Sequence, residues 1–235
     1  MSDALNDPRI DGGMRAQMAL RKRRLEEGAT QVGWKVGFGA PAALEKLQLG
    51  APLVGFVLDR AVLMPGAAVS LHGWQKPVAE TEIAAYIGRD LPAHASREDV
   101  RAAVAAIGPA IELADVDCPM DDVPAILAGD IFQRHVVLGP RDILRQGARL
   151  QGLRGRVTRS GNGVPVPDDL ETNTGSVLSV VRHVADMAEA MGDRLRAGQF
   201  IICGSITPPM FLEADERNIE FSLDPIGSVS VRFSG

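Results

Sequence analysis

The sequence predicts an α+β protein: a β-roll or barrel body preceded by an N-terminal helical region. Three observations lead there. Beyond the first third of the chain, strand-like segments outnumber helical ones. Only two stretches of that part carry strong helical signals, one opening at Ser96 and one recurring from Val177 to Leu195. The chain closes on a hairpin pattern, Asn218 to Leu223 and Ser228 to Phe233 around the turn Asp224-Pro225-Ile226-Gly227. We divide the chain into an N-terminal helical or cap region, residues 1–60, and a β-roll domain, residues 61–235.

Residues 1–13 carry Pro, Asp and Gly and read as a loose lead-in. Met14 to Glu27 combines helix formers with apolar positions at Met14, Met18, Ala19 and Leu25, and Gly28 stops it. Gly33-Trp34-Lys35-Val36-Gly37-Phe38-Gly39 differs in kind: three glycines let the backbone approach a neighbour closely. Lys35 sits among Trp34, Val36 and Phe38, a setting that can lower a lysine pKa and suit it to proton transfer. The alternative is a turn whose lysine reaches water. Pro41 to Leu47 reads as a short helix with proline at its first position. Leu53 to Leu58, Ala61 to Leu63 and Ala68 to Leu71 read as short strands.

Pro77 to Ile87 is the most informative strand. Side chains alternate along it, so Glu80 and Glu82 share a face about 7 Å apart. In so apolar a segment, two carboxylates cannot both stay ionised without a partner. A shared proton, basic side chains or a hard cation would each serve, and an oxygen-seeking cation removes both penalties at once. An edge strand with both glutamates in water is the plain alternative. Ser96 caps a helix running through Val100, Ala103, Val104 and Ile107 to Gly108, with acids in its first turn. Pro109 then opens a second apolar strand, on which Glu112 shares a face with Ala110 and Ala114. A third carboxylate among small residues strengthens the metal reading, though a structural ion pair would also account for it. Gly129 to Gly139 is a loop entering a strand, with Asp130, Arg134 and His135 near its start. Gln199 to Cys203 is a buried strand opening into Gly204-Ser205-Ile206-Thr207, a polar end suited to lining a site.

A formal charge of −5 in 235 residues argues against nucleic acid or an anionic membrane as the main partner. No apolar run approaches the roughly 18 residues of a membrane span, and no apolar signal core begins the chain. Two cysteines, Cys118 and Cys203, fit a reducing compartment. These features predict a cytoplasmic protein acting on a small molecule.

Five segments, in order, resemble the fumarylacetoacetate hydrolase superfamily, and most closely its hydratase/decarboxylase branch. They are GWKVG (33–37), PVAETEIAAYIGRDLP (77–92), PAIELA (109–114), LRAGQFIICGS (195–205) and IGSVSVRF (226–233). The resemblance implies a mixed β-roll fold and Mg²⁺ or Mn²⁺ held by Glu80, Glu82 and Glu112. It implies an acid/base role for Lys35, a 2-oxo acid substrate and a homo-oligomer. The implied reaction is hydration of a 2-hydroxy-2,4-dienoate to a 4-hydroxy-2-oxo acid in aromatic catabolism. Decarboxylation of a 2-oxo-3-enedioate is the alternative, ahead of an acylpyruvate-type C–C hydrolase or a non-catalytic paralogue. No histidine precedes His72 to activate a hydrolytic water from an N-terminal lid. By position, Ser205 and Thr207 are candidates to hold the substrate's polar end.

Three places depart from the branch pattern. Asp130-Ile131 stands where hydratases read Asp-Asn, and Gly175-Ser176-Val177-Leu178 replaces a Gly-His-Pro-Leu-like stretch. Asp59 falls one position early. These segments lie near substrate in the family, which makes Asp59, Asp130 and Arg134 further substrate-binding candidates. Arg134 is the basic side chain available there for a second substrate carboxylate.

Overall fold

The computed structural model describes residues 3–234. After a 3-10 turn at Asp3–Asn6, helix α1 (Pro8–Glu26) starts six residues earlier than the apolar pattern suggests. Asp7 caps it by accepting from the Arg9 amide, and Pro8 occupies the first turn, where a missing N–H costs nothing. Strand β1 (Gln31–Gly37), helix α2 (Pro41–Leu47) and strand β2 (Leu53–Leu58) follow. After a single turn at Asp59–Ala61 come β3 (Val62–Leu63), β4 (Ala68–Ser70) and β5 (Pro77–Ile87).

Helix α3 covers only Arg97–Ala103, because the chain turns into strand β6 (Val104–Asp115) well before the predicted helix end at Gly108. Val104 and Ala106 satisfy both descriptions by composition, and pairing with Ile87 and Tyr86 of β5 selects the strand. Pro109 therefore lies inside β6 rather than at its start. Then come α4 (Val123–Ala128), β7 (Gln133–Leu138), β8 (Arg154–Arg159) and β9 (Asn162–Val164). Helix α5 (Val177–Ala190) stops short of Leu195, which instead bridges Leu91. The chain ends with β10 (Phe200–Ser205), β11 (Met210–Phe211), β12 (Asn218–Asp224) and β13 (Gly227–Ser234).

Two sheets form. The smaller has the order β4-β13-β12-β8-β9. The larger has the order β2-β1-β10-β5-β6-β7-β3, with β11 paired to β5. Its two marginal strands, β2 and β3, are joined by only the three residues Asp59–Ala61. That short link ties the margins together and curls the sheet into a half-barrel. The boundary expected at residue 60 falls within this link. β1 and β2 belong to the same sheet as the strands beyond it, so residues 1–60 do not form a separate helical layer.

Register decides which side chains meet, since paired residues share a face. Trp34, Ile201, Ala85 and Ile107 pair across β1, β10, β5 and β6 and join the main core. The opposite, inner face holds a second apolar cluster of Val57, Ala84, Ala110, Val136, Phe200 and Ile202. Helix α1 packs on α4 at Gly13, where a Cβ would come within 2.7 Å of Leu127 Cβ. Gln17 seals that contact by donating to the Leu127 carbonyl at 3.1 Å.

Candidate metal centre

β5 and β6 pair antiparallel with Glu80 opposite Glu112 and Glu82 opposite Ala110. All three carboxylates therefore project from the inner face of the half-barrel. One oxygen from each lies within 4.8 Å of the others. Glu82 and Glu112 are fully buried, and Glu80 is half-buried at the wall of a cavity. Lys35 reaches the same face, since β1 pairs Lys35 with Ile202 and β10 pairs Ile202 with Ala84 of β5. Its ammonium is buried, ion-paired with Glu112, and donates to the Ile131 carbonyl at 2.9 Å.

One lysine does not balance three glutamates. Burial, then the Glu112 charge, pushes the Glu80 carboxyl up to about 7, with Lys35 opposing. Burial, then Glu112 and Glu80, raises Glu82 well above the ordinary carboxylate range, against Lys35 and the Gly204 amide. That amide donates to Glu82 Oε2 at 2.5 Å. Two oxygens, Glu82 Oε1 and Glu112 Oε2, are buried with no hydrogen-bond partner. Orphaned carboxylate oxygens clustered this closely fit a hard divalent cation, which supplies both the missing charge and the missing partner.

Lys35 itself departs from the sequence-based expectation. Burial acts to lower its pKa, but the Glu112 charge and hydrogen bond, then Glu80 and Asp130, outweigh it and hold the ammonium above its usual value. The glycine-flanked segment gave no sign of this, because the carboxylates come from other strands.

The acceptor of Lys35 lies on a strained segment. Asp130, Ile131 and Phe132 have φ of 59°, 54° and 63°, in the left-handed region that β-branched and aromatic residues seldom enter. Asp130 Oδ1 accepts from the Phe56 amide at 2.9 Å, Ile131 donates to the Ile126 carbonyl at 2.8 Å, and the Phe132 carbonyl accepts from Asp115 at 2.9 Å. These bonds hold the Ile131 carbonyl toward Lys35. Gly55 is required alongside, since a Cβ there would lie 2.7 Å from Asp130 Oδ1. Asp130 is buried next to Lys35, and burial raises its pKa well above the usual range despite the Phe56 amide and Lys35. It does not line the cavity.

The cavity has a volume of about 400 Å³ and opens beside Glu80 and Lys35. Ser205 and Thr207 line it, and Ser205 Oγ is buried with no partner. Thr207 Oγ1 pairs with Thr81 Oγ1 at 3.1 Å. β10 is bulged between Ile202 and Ser205, and Gly204 takes φ +93° there, which turns its amide toward Glu82.

Besides Asp130, two further expected substrate contacts lie outside the cavity lining. Asp59 is exposed in the β2–β3 link and accepts from the Thr30 and Arg60 amides, away from the cavity lining. Arg134 is exposed and bonded to Asp115 and Asp117 at 3.2 and 3.3 Å, likewise outside the cavity. Its neighbour Gln133 pairs with Ala114 across a bulge, so the strand's alternation carries Arg134 off the site. Conversely, Asn173 and Thr174 line the cavity without having been singled out. Asn173 Nδ2 is anchored on the Ile206 carbonyl at 2.9 Å. Their only sequence signal is a polar cluster ahead of α5, which by itself marks a loop.

A half-barrel with three converging carboxylates and a buried lysine beside a cavity defines a class of cation-binding catalytic folds. Residues 32–234 match the fumarylacetoacetate (FAA) hydrolase C-terminal family, and the chain belongs to it. It is similar to the 2-hydroxyhexa-2,4-dienoate hydratase of Comamonas testosteroni, 29% identical over 227 residues, covering 92% of this chain and 84% of that one. It is also similar to the 4-oxalocrotonate decarboxylase from Pseudomonas putida G7. That structure complexed with calcium and acetate superposes with TM-score 0.82 at 25% identity, covering 93% of this chain and 83% of the other. Complexed with magnesium and adipate it gives TM-score 0.86 at 23% identity, covering 100% and 90%. Among the described residues, no helix is long and apolar enough to cross a membrane.

Proposed function

We propose that the protein is a Mg²⁺- or Mn²⁺-dependent lyase that hydrates a 2-hydroxy-2,4-dienoate to a 4-hydroxy-2-oxo acid. The observation that carries this reading is the Glu80/Glu82/Glu112 cluster, with its orphaned oxygens, set against buried Lys35 at a cavity. When bound, a divalent cation supplies charge stabilisation to the oxyanion that develops at a 2-oxo group. Glu80, Glu82 and Glu112 are the residues that would hold it. Lys35 Nζ, fixed between Glu112 and the Ile131 carbonyl, is placed to move the proton between oxygen and carbon. Asn173, Ser205 and Thr207 form a polar wall that can orient water and the substrate's polar groups. Ile131, in the position where hydratases supply an amide, offers no side-chain hydrogen bond. Asn173 meets that need from a different loop.

Decarboxylation of a 2-oxo-3-enedioate is the second reading. It is favoured by the buried, apolar Ile131 in the cavity wall, which helps strip water from a departing carboxylate. Against it stands Arg134, committed to Asp115 and Asp117 instead of a second substrate carboxylate. The proposed setting is a cytoplasmic homo-oligomer in aromatic catabolism; the unpaired cysteines Cys118 and Cys203 support the reducing compartment. One panel tests the reaction. Enzymatically generated 2-hydroxydienoates and 2-oxo-3-enedioates are offered with Mg²⁺, and ultraviolet loss and CO₂ release are followed together. Ultraviolet loss without CO₂ is the expected outcome. CO₂ release from the enedioate with no hydration would reverse the order of the two readings.

A further inference from the structure

The cavity changes character from its floor to its mouth. Its buried lining includes Lys35 and Thr207, beside half-buried Glu80 and Ser205. Its outer part is built by α2, by the segments around β11 and by the loop between β6 and α4. There Ala42, Met120 and Pro208 are exposed at the rim, with Ala43 and Phe211 partly covered beneath them. That outer wall is apolar on every side named.

Cationic groups near it are few. Lys46 is the one lining residue besides Lys35 with a positive charge, and it lies exposed in the last turn of α2. Lys76 rests over the Phe211 ring at 4.5 Å, is exposed, and does not line the cavity. Arg134, as described, is held outside by two aspartates.

We infer that the outer half of the cavity takes an uncharged, apolar substituent. The substrate class is then a 2-hydroxydienoic or 2-oxo acid with a single carboxylate and an alkyl or aryl tail, not a dicarboxylate. This rests on the proposed function and specifies the substrate of the same site. A volume of about 400 Å³ falls in the range of cavities that enclose ligands well beyond a five-carbon acid, about 300–1,000 Å³. Each methylene buried on the apolar wall strengthens binding about fourfold. A distal carboxylate would lose water along that wall and gain only an exposed lysine, a pairing worth about fivefold at most.

The test uses the full-length protein with saturating Mg²⁺ and titration calorimetry, so that it does not depend on turnover. Pyruvate, 2-oxohexanoate and 2-oxoadipate are compared. 2-Oxohexanoate is expected to bind at least about tenfold tighter than pyruvate and than 2-oxoadipate. In A43R, a cation set into the apolar wall should narrow the gap between the two six-carbon acids about fivefold. Equal or tighter binding of 2-oxoadipate, lost in K46M, would overturn the inference and make Lys46 a carboxylate receptor. A gap unchanged by A43R would overturn the placement of the tail against α2. If simple dienoates are turned over but 2-oxohexanoate gains nothing over pyruvate, the substrate inference alone falls. If Mg²⁺ binds and no 2-oxo acid does, the proposed function falls and this inference with it.

Discussion

Lys35 illustrates how a single side chain takes its chemistry from its surroundings. Its ammonium is buried and held by Glu112 and the Ile131 carbonyl, with Glu80 and Asp130 adding negative charge nearby. Lys35→Ala should reduce turnover about 10²- to 10⁴-fold, the usual range for a general acid/base, while Mg²⁺ binding persists. Calorimetry of the variant alongside its kinetics checks both halves of that statement. The glutamates have a consequence that can be read without substrate. In the metal-free protein Glu80 titrates near 7, above its ordinary value of 4.5, and Glu82 is also raised. The folded state then binds more protons than the unfolded one between these values, so stability declines as pH rises from about 4.5 through about 7. Urea unfolding of EDTA-treated protein at pH 5 and pH 8 should show the lower midpoint at pH 8. A higher midpoint at pH 8 would mean the cluster is neutralised in some other way.

At the scale of elements, the site depends on two local irregularities. One is the left-handed run Asp130–Phe132, which aims a backbone carbonyl at Lys35. The other is the bulge in β10, where Gly204 at φ +93° points its amide at Glu82. An alanine at Gly204 meets Thr174 and Val36 only at ordinary contact distances of 3.5 and 3.6 Å, so the backbone angle is what opposes it. Gly204→Ala should cost about 1–3 kcal/mol of stability. It should also weaken Mg²⁺ binding, because relaxation of the strained backbone would turn the residue 204 amide away from Glu82. A variant that melts lower yet binds Mg²⁺ as well as wild type would separate the bulge from the site. Elements also show how far local pattern reaches. The helix after Ser96 begins where capping predicts, with Ser96 Oγ accepting from the Asp99 amide at 3.1 Å. Its end is set instead by the pairing of Val104 with Ile87 across the sheet.

For the whole molecule, curling of the sheet gives the site its enclosure. β2 and β3 are held together by three residues, which leaves a lined interior between them. Carboxylates brought from two strands into that interior lack a balancing charge, and a bound cation should stabilise the whole fold. Mg²⁺ at about 100 times its dissociation constant should add about 2.7 kcal/mol by mass action, read as a concentration-dependent rise in Tm. Glu112→Gln should remove that rise. An equal rise in wild type and Glu112→Gln would place the ion elsewhere.

The sequence by itself determined which faces carry the acidic residues and most of the strand inventory. Alternation along Pro77–Ile87 and Ala110–Asp115 is a local property, so it put Glu80, Glu82 and Glu112 on defined faces of apolar strands before any contact was known. The resemblance over about residues 30–233 implied the β-roll, a metal on those glutamates and an acid/base role for Lys35. Tertiary structure alone decided which faces meet. Register set Glu80 against Glu112, a bulge turned Gly204 toward Glu82, and a helix-like stretch after Ala103 became strand through pairing with β5. It also moved Asp59 and Arg134 out of the cavity and brought Asn173 in. None of this was legible locally, because each outcome depends on hydrogen bonds between segments tens of residues apart, and loop residues carry no period from which a direction can be read.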